Sequence, residues 1–479
     1  MNILAIDQGT SATKALVLGP GNEVLGSAEE PVHPHSTADG GVEQDPEELF
    51  RSVLHAGTAA IGQARAPVQA MALANQGETV LAWDRRSGRA LTPAIVWQDR
   101  RSSDVCRRLS ASAGRLAAIT GLPLDPYFAA PKMTWLRENL TAEGVATTTD
   151  TWLLARLGAG YVTDAATASR TLLLDLEAAD WSAEACAVFE LDPAALPEVG
   201  DCAGVFGETT AFGPPLPVTG LAVDQQAALL AERCFAAGEA KCTYGTGAFL
   251  LATTGPAPVR STAGLSASVA WRLGGAATYC LDGQVYTAGA AAGWLAGLGL
   301  IPGAEGLDAA GGSVPDSGGV VFVPALAGLG APHWRPDARG AFFGLGLGVT
   351  RAHLARAVVE GIAASVALLA GSVAADSAPV GRLRADGGLT RSRLLVQAQA
   401  DLLQAPVEVS KAHDATALGV AALARLGAGD RAGLAEAVGQ AEVEWVAEPA
   451  ITADQAAERL AAHDSAVRAV LAAQGAPSR

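Results

Sequence analysis

The chain opens on an apolar run, Ile3-Leu4-Ala5-Ile6, that ends in Asp7 and the polar turn Gln8-Gly9-Thr10-Ser11. A second apolar run, 12–18, follows at once. Apolar segments joined by a short glycine-containing turn predict a strand, a tight turn and a return strand. The pattern recurs in mid-chain, where 240–244 leads through Gly245-Thr246-Gly247 into 248–254. Between the two, 68–75 reads as a buried strand ending in a polar cluster. Asp45-Pro46 opens a helix, with Asp45 as cap and Pro46 at the first helical position. The Pro- and Gly-rich stretch 212–220 breaks regular structure, and a helix is expected over 225–235. The second half predicts helices near 286–298, 351–371 and 392–403 and strands at 320–324 and 383–386. An alanine-rich helix from Thr452 and a frayed tail close the chain. The repeat has a period of half the chain, which suggests duplication with a nucleotide held between the halves. A boundary near Gly238 divides the sequence into domains 1–237 and 238–479.

Length agrees with two cores, because 479 residues exceed what one usually serves. Half the residues are hydrophobic and 17% are charged, so both cores can be filled. The net charge of −16 speaks against nucleic acid and against an anionic membrane surface as partners. The six cysteines lie far apart with no Cys-x-x-Cys, so neither zinc nor a disulfide framework is expected. No apolar stretch is expected to approach the roughly 20 residues of a membrane span, and no basic segment with an apolar core precedes the first strand. A cytoplasmic location is the expectation.

Candidate chemistry sits in the turns. Gly9 permits close backbone approach, Thr10, Ser11 and Thr13 offer hydroxyls, and Lys14 offers a cation. Asp7, at a strand end, could hold a metal ion through water. A lone glycine turn does not distinguish a phosphate cradle from a plain turn. Two of them, together with Asp386-Gly387-Gly388, favour phosphate. Asp224 stands just ahead of a predicted helix, and from spacing alone it reads as an N-cap. The seven histidines form no constellation; His333 and His353 are expected to be structural or at the surface.

A series of motifs then carries a resemblance. In order they are Ile6-Asp7-Gln8-Gly9-Thr10-Ser11, Gly41-Val42-Glu43-Gln44-Asp45-Pro46, Trp97-Gln98-Asp99-Arg100-Arg101, Ser169-Arg170-Thr171, Asp224-Gln225-Gln226, Thr243-Tyr244-Gly245-Thr246-Gly247, Arg339-Gly340-Ala341-Phe342-Phe343-Gly344 and Asp386-Gly387-Gly388. In this order and spacing the chain resembles the FGGY carbohydrate kinases, nearest to their glycerol-kinase members. The resemblance covers nearly the whole length. It implies an α/β fold of two ribonuclease-H-like (actin-like ATPase) domains flanking a catalytic cleft, with ATP and Mg2+ on one side and a small polyol or ketose on the other. A homodimer or homotetramer is the assembly expected with it.

The resemblance also implies roles. Asp224 becomes the general base that takes the proton of the attacking hydroxyl. Gln225 binds a substrate hydroxyl. Glu78 grips the substrate, Tyr127 offers it a hydroxyl partner, and Trp97 and Phe249 are apolar walls, although core packing explains Phe249 nearly as well. Gln8, Gly9, Thr10, Ser11 and Lys14 fall to the first phosphate loop, and Thr246 and Gly247 to the second. Gly387, Gly388 and Arg393 fall to the adenosine side, and Asp7 to the metal.

Two departures stand out. Arg393 replaces an asparagine of the adenosine site. Glycerol kinases read Asn-Gln-Arg-Glu-Thr where this chain reads Asn75-Gln76-Gly77-Glu78-Thr79, so a guanidinium clamp is missing at Gly77. Its loss is expected to open volume and to favour a substrate longer than glycerol. Three readings remain open on the sequence: a polyol kinase, a pentulose or other ketose kinase, and a non-catalytic actin-like ATP-binding protein.

Overall fold

The computed structural model of the chain describes residues 1–411 and 414–474. Its frame is two sheets built on one plan. In the first, the hairpin Ile3–Gln8 and Ala12–Leu18 pairs antiparallel, and Ala70–Asn75 lies parallel to its first strand. In the second, Ala240–Tyr244 and Ala248–Gly255 form the hairpin, and Leu383–Asp386 takes the parallel place. Flanking strands extend the first sheet to six, with Val24–Pro31 at one edge and Leu216–Val223 and Ala203–Thr209 at the other. The second sheet has seven, from Ser266–Leu273 to Val443–Ala447. Every residue of Ala70–Asn75 is buried, as a central parallel strand covered on both faces requires.

The expected helix at Asp45 runs Pro46–Ala64, with the Asp45 carboxylate accepting from the backbone N–H of Glu47 at 2.9 Å. The helix expected over 351–371 extends over Arg351–Asp376. It corrects the expectation about apolar stretches, since its mean hydropathy of 1.9 and its length would suit a membrane crossing. Here 67% of that apolar window is buried inside the protein, against Val321–Val323 and the helix Arg393–Leu403. The last helix runs Ala453–Gln474; the frayed tail expected after it lies outside the described residues.

The helix Ala415–Gly427 comes from the second half of the sequence but packs on the first sheet. Ala417, Val420 and Ala421 share a core with Ile3, Ala5 and Ala72. It also packs against Asp224–Ala231. Gly419 makes the approach possible, because a Cβ there would fall 1.8 Å from the Ala227 carbonyl oxygen. Arg425, buried on the same helix, donates to the Gly19 carbonyl at 2.5 Å and ties it to the loop after the first hairpin. The Gly419–Ala227 contact seats the helix that begins at Asp224.

Gly419→Ala should therefore lower the melting temperature by several degrees, the scale of about 1–3 kcal/mol of overpacking. Calorimetry checks it, and an unchanged transition would contradict the close contact.

Candidate active site

The two hairpin turns, the strand end at Gln76 and the helix start at Asp224 meet around a cavity of about 360 Å³. The first turn closes through Gly9 N–H to the Ala12 carbonyl at 3.0 Å, the second through Gly245 N–H to the Gly247 carbonyl at 2.9 Å. Thr10 and Ser11 line the cavity from one side, and Thr246 and Gly247 from the other. Gly77, Glu78, Trp97, Tyr127, Asp224, Gln225 and Phe249 line it as well. The Trp97 ring stands edge-on to Tyr127 at 5.8 Å and to Phe249 at 6.1 Å, so three aromatics form one wall. Side-chain polar atoms brace the first turn. Trp97 Nε1–H donates to Thr10 Oγ1 at 2.9 Å, and Gln44 Nε2–H to the Thr10 carbonyl at 2.7 Å. Gln76 accepts from the Thr10 hydroxyl at 3.0 Å and donates to Gln44 Oε1 at 2.9 Å.

Asp224 is not the cap that spacing suggests. Val223 holds the N-cap position, and Asp224 is the first helical residue. Its Oδ1 accepts from the N–H of the next residue, Gln225, at 2.6 Å. Burial pushes its pKa up; the Gln225 N–H, Lys241 and Arg170 pull it back. Lys241, itself buried, donates to Gln225 Oε1 at 2.6 Å and to Thr243 Oγ1 at 2.7 Å. One ammonium thus orients the glutamine beside Asp224 and supports its charge.

Glu78 sits at a strained corner. Its φ is +59°, and Thr79 N–H closes back on the Gly77 carbonyl at 2.7 Å. A left-handed conformation at such a residue costs about 1–3 kcal/mol and is retained where the surroundings dictate it. Here the partner is Arg170, whose Nε–H donates to Glu78 Oε1 at 2.7 Å. Asp282, from the second sheet, lies 2.7 Å from Arg170 Nη1. Burial disfavours the charge on Arg170, but Asp282 and Glu78 outweigh it and hold the guanidinium well above its ordinary value. Burial raises Glu78 despite Arg170.

The volume expected at Gly77 is not simply open. A Cβ there would stand 2.9 Å from Val223 Cγ2, so Val223 fills the place where a side chain would begin. Neither Arg170, Asp282, Val223 nor Lys241 received a role from sequence. Arg170 lay inside a quoted motif, and Asp282 is an acid within a strand, Ala276–Val285, whose second half is buried throughout. That burial pattern is the signal that could have found it.

The remaining candidates stand outside the cavity lining. Asp7 and Gln8 end the first strand. Lys14, on the return strand, forms an ion pair with Asp414. Gly387 and Gly388 follow Leu383–Asp386 next to the second hairpin. Arg393 is exposed, with its guanidinium 4.7 Å above the Trp445 ring.

Among the described residues, no group of three or more His, Cys, Asp or Glu is placed to hold a metal directly. What the site offers is Asp7. Burial first, then the carboxylates of Asp224 and Asp414, push it up to about 8, against the opposing pull of Lys14. Converging carboxylates of this kind are what a hydrated cation would relieve, so the residues fit a divalent ion held through water.

Comparison with known proteins agrees with this geometry. The N-terminal domain of the FGGY family of carbohydrate kinases matches residues 2–231, and the C-terminal domain 240–428. The chain belongs to the FGGY family of carbohydrate kinases. Glycerol kinase from Aromatoleum aromaticum is 43% identical over 95% of both chains, and that from Thermus brockianus is 46% identical over 89% of this chain and 90% of its own. Among solved structures, Plasmodium falciparum glycerol kinase with ADP superposes with a TM-score of 0.90 at 30% identity, covering 98% of both chains. Xylulose kinase from Rhodospirillum rubrum gives 0.86 at 25%, covering 98% and 99%. As an FGGY member the protein is an ATP-dependent sugar or polyol kinase, which removes the non-catalytic reading.

As the candidate base, Asp224 must be ionised to act, so activity present above its pKa is lost as pH falls through it. kcat/KM should therefore fall on the acid side with a midpoint above 3.8, the ordinary aspartate value. Lys241→Met removes a group that lowers the Asp224 pKa, so it should move that midpoint to higher pH. A pH–rate profile checks both, and an unmoved acid limb would contradict the Lys241 assignment.

Proposed function

We propose that the protein transfers the γ-phosphoryl group of ATP to a terminal hydroxyl of a small polyol, glycerol or a longer homologue. The observation that carries the reading is the placement of Asp224. It stands in the cavity between two phosphate-sized turns and beside the substrate-gripping Glu78 and Gln225. Asp224 takes the hydroxyl proton as that oxygen bonds to the γ-phosphorus. The bond from phosphorus to the bridging oxygen breaks, and ADP leaves, with no covalent intermediate. The backbone N–H groups and hydroxyls of the two turns receive the charge that spreads over the equatorial oxygens. A divalent cation, when bound with the nucleotide, neutralises phosphate charge, and Asp7 is the residue that would hold it through water. Gly387 and Gly388 are assigned to the adenosine side. Trp97, Tyr127 and Phe249 shape the apolar wall and exclude water from the transfer.

A pentulose or other ketose is the second substrate reading. It is supported by the likeness to the Rhodospirillum rubrum xylulose kinase and by a cavity whose guanidinium comes from Arg170, not from position 77.

Asp224→Asn keeps the shape and removes the proton acceptor. Its kcat, followed by coupled ADP release, should fall at least about 10²–10⁴-fold while polyol binding is largely kept. Near-normal turnover in this variant would overturn the mechanism.

A further inference from the structure

Val223 and Arg170 both line the cavity with Asp224. Val223 ends a strand held in parallel register with Asn75, so it and the turn at Gly77 are fixed by one ladder. Val223 is buried, and its β-branched side chain has little rotamer freedom. With a Cβ at 77 falling 2.9 Å from its Cγ2, a side chain at position 77 would have to displace Val223.

The guanidinium the cavity does contain is differently aimed. Arg170 is 3% exposed and Asp282 5%, and both line the cavity. Arg170 spends its Nε–H on Glu78. Nη1, although 2.7 Å from Asp282 Oδ2, has no hydrogen-bond partner, and neither has Asp282 Oδ1. Gln284 takes Oδ2 through its Nε2–H at 3.0 Å. Nη1, ion-paired but not hydrogen-bonded, and Oδ1, with no hydrogen bond, therefore lie buried side by side. Such groups are costly unless something satisfies them. A hydroxyl does so, since it accepts from the guanidinium and donates to the carboxylate.

We propose that Arg170 and Asp282 form a subsite for the hydroxyls remote from the phosphorylated carbon, kept in place by the Gly77–Val223 contact, so that four- or five-carbon polyols or ketoses are preferred to glycerol. This rests on the polyol-kinase reading above. Glycerol has three hydroxyls, and the reading above gives them Asp224, Gln225 and Glu78 as partners. A longer chain brings the further hydroxyl that the Arg170–Asp282 pair lacks.

The test measures kcat and KM for glycerol, erythritol, ribitol, xylitol and D-xylulose, with melting temperature and ADP binding as controls for folding. Asp282→Asn should lower kcat/KM for the best longer substrate ten- to hundredfold, mainly through KM. Glycerol should lose as well, because Asp282 also holds Arg170 against Glu78, but about tenfold less. A structural role alone would lower both alike, and that result overturns the subsite. Gly77→Arg should lose stability and activity on every substrate. Gly77→Arg with Val223→Gly should recover stability, gain on glycerol and lose on the longer substrate. A single Gly77→Arg as stable and active as the double variant would overturn the Val223 argument. Wild type preferring glycerol to every longer compound sinks the subsite alone. Wild type that binds ADP but phosphorylates no polyol or ketose sinks the kinase assignment and the subsite with it.

Discussion

The site depends on one buried cation with two anionic neighbours. Arg170 meets Glu78 from the first half of the chain and Asp282 from the second sheet. Its own segment is clamped between the halves. Ala165–Ala168 packs on Ser266–Leu273, and Val269 N–H donates to Ser169 Oγ at 3.0 Å. Removing one partner from such a buried pair typically costs about 3–5 kcal/mol, because the charge left behind is unpaired. Buried ion pairs are weak sources of stability, and this one is better understood as positioning. It holds Glu78 in a strained backbone corner and sets a guanidinium in the cavity wall.

The other charges of the cleft follow the same logic. Asp224, Glu78 and Asp7 all have raised pKa values, and in each case burial is the first cause. Each is held close to an arginine or lysine that restores part of the charge: Arg170 for Glu78, Lys241 and Arg170 for Asp224, Lys14 for Asp7. Lys132 is a further case away from the phosphate turns. Burial drops it to about 7, yet it donates to the carbonyls of Pro126 at 3.0 Å and Phe128 at 2.7 Å. Those bonds fix the loop that presents Tyr127.

Much of this frame was legible in the sequence because it is local. A hairpin turn, an Asp-Pro helix start and a buried strand are each written within a few residues, and all appear where expected. Recognition of ordered motifs brought Asp224, Glu78, Trp97, Tyr127 and Phe249 to one cavity. What escaped was pairwise and distant. Arg170 and Asp282 are 112 positions apart in number, and nothing local in either motif announces the other. Val223 hides its effect on Gly77 for the same reason, since the contact exists only through the strand register. The cap reading of Asp224 failed because helices begin by geometry, and Val223 already satisfies the extended conformation a cap needs. The apolar helix Arg351–Asp376 is hard to see in the sequence because alanine and glycine dilute an apolar run that tertiary packing then buries.

The most direct test of the account is a crystal structure with a five-carbon polyol and a non-hydrolysable ATP analogue bound. It should place the terminal hydroxyl against the Asp224 carboxylate, and a remote hydroxyl within hydrogen-bond distance of both Arg170 and Asp282. A polyol bound with Arg170 and Asp282 still unpartnered, or with its terminal hydroxyl turned away from Asp224, would contradict it.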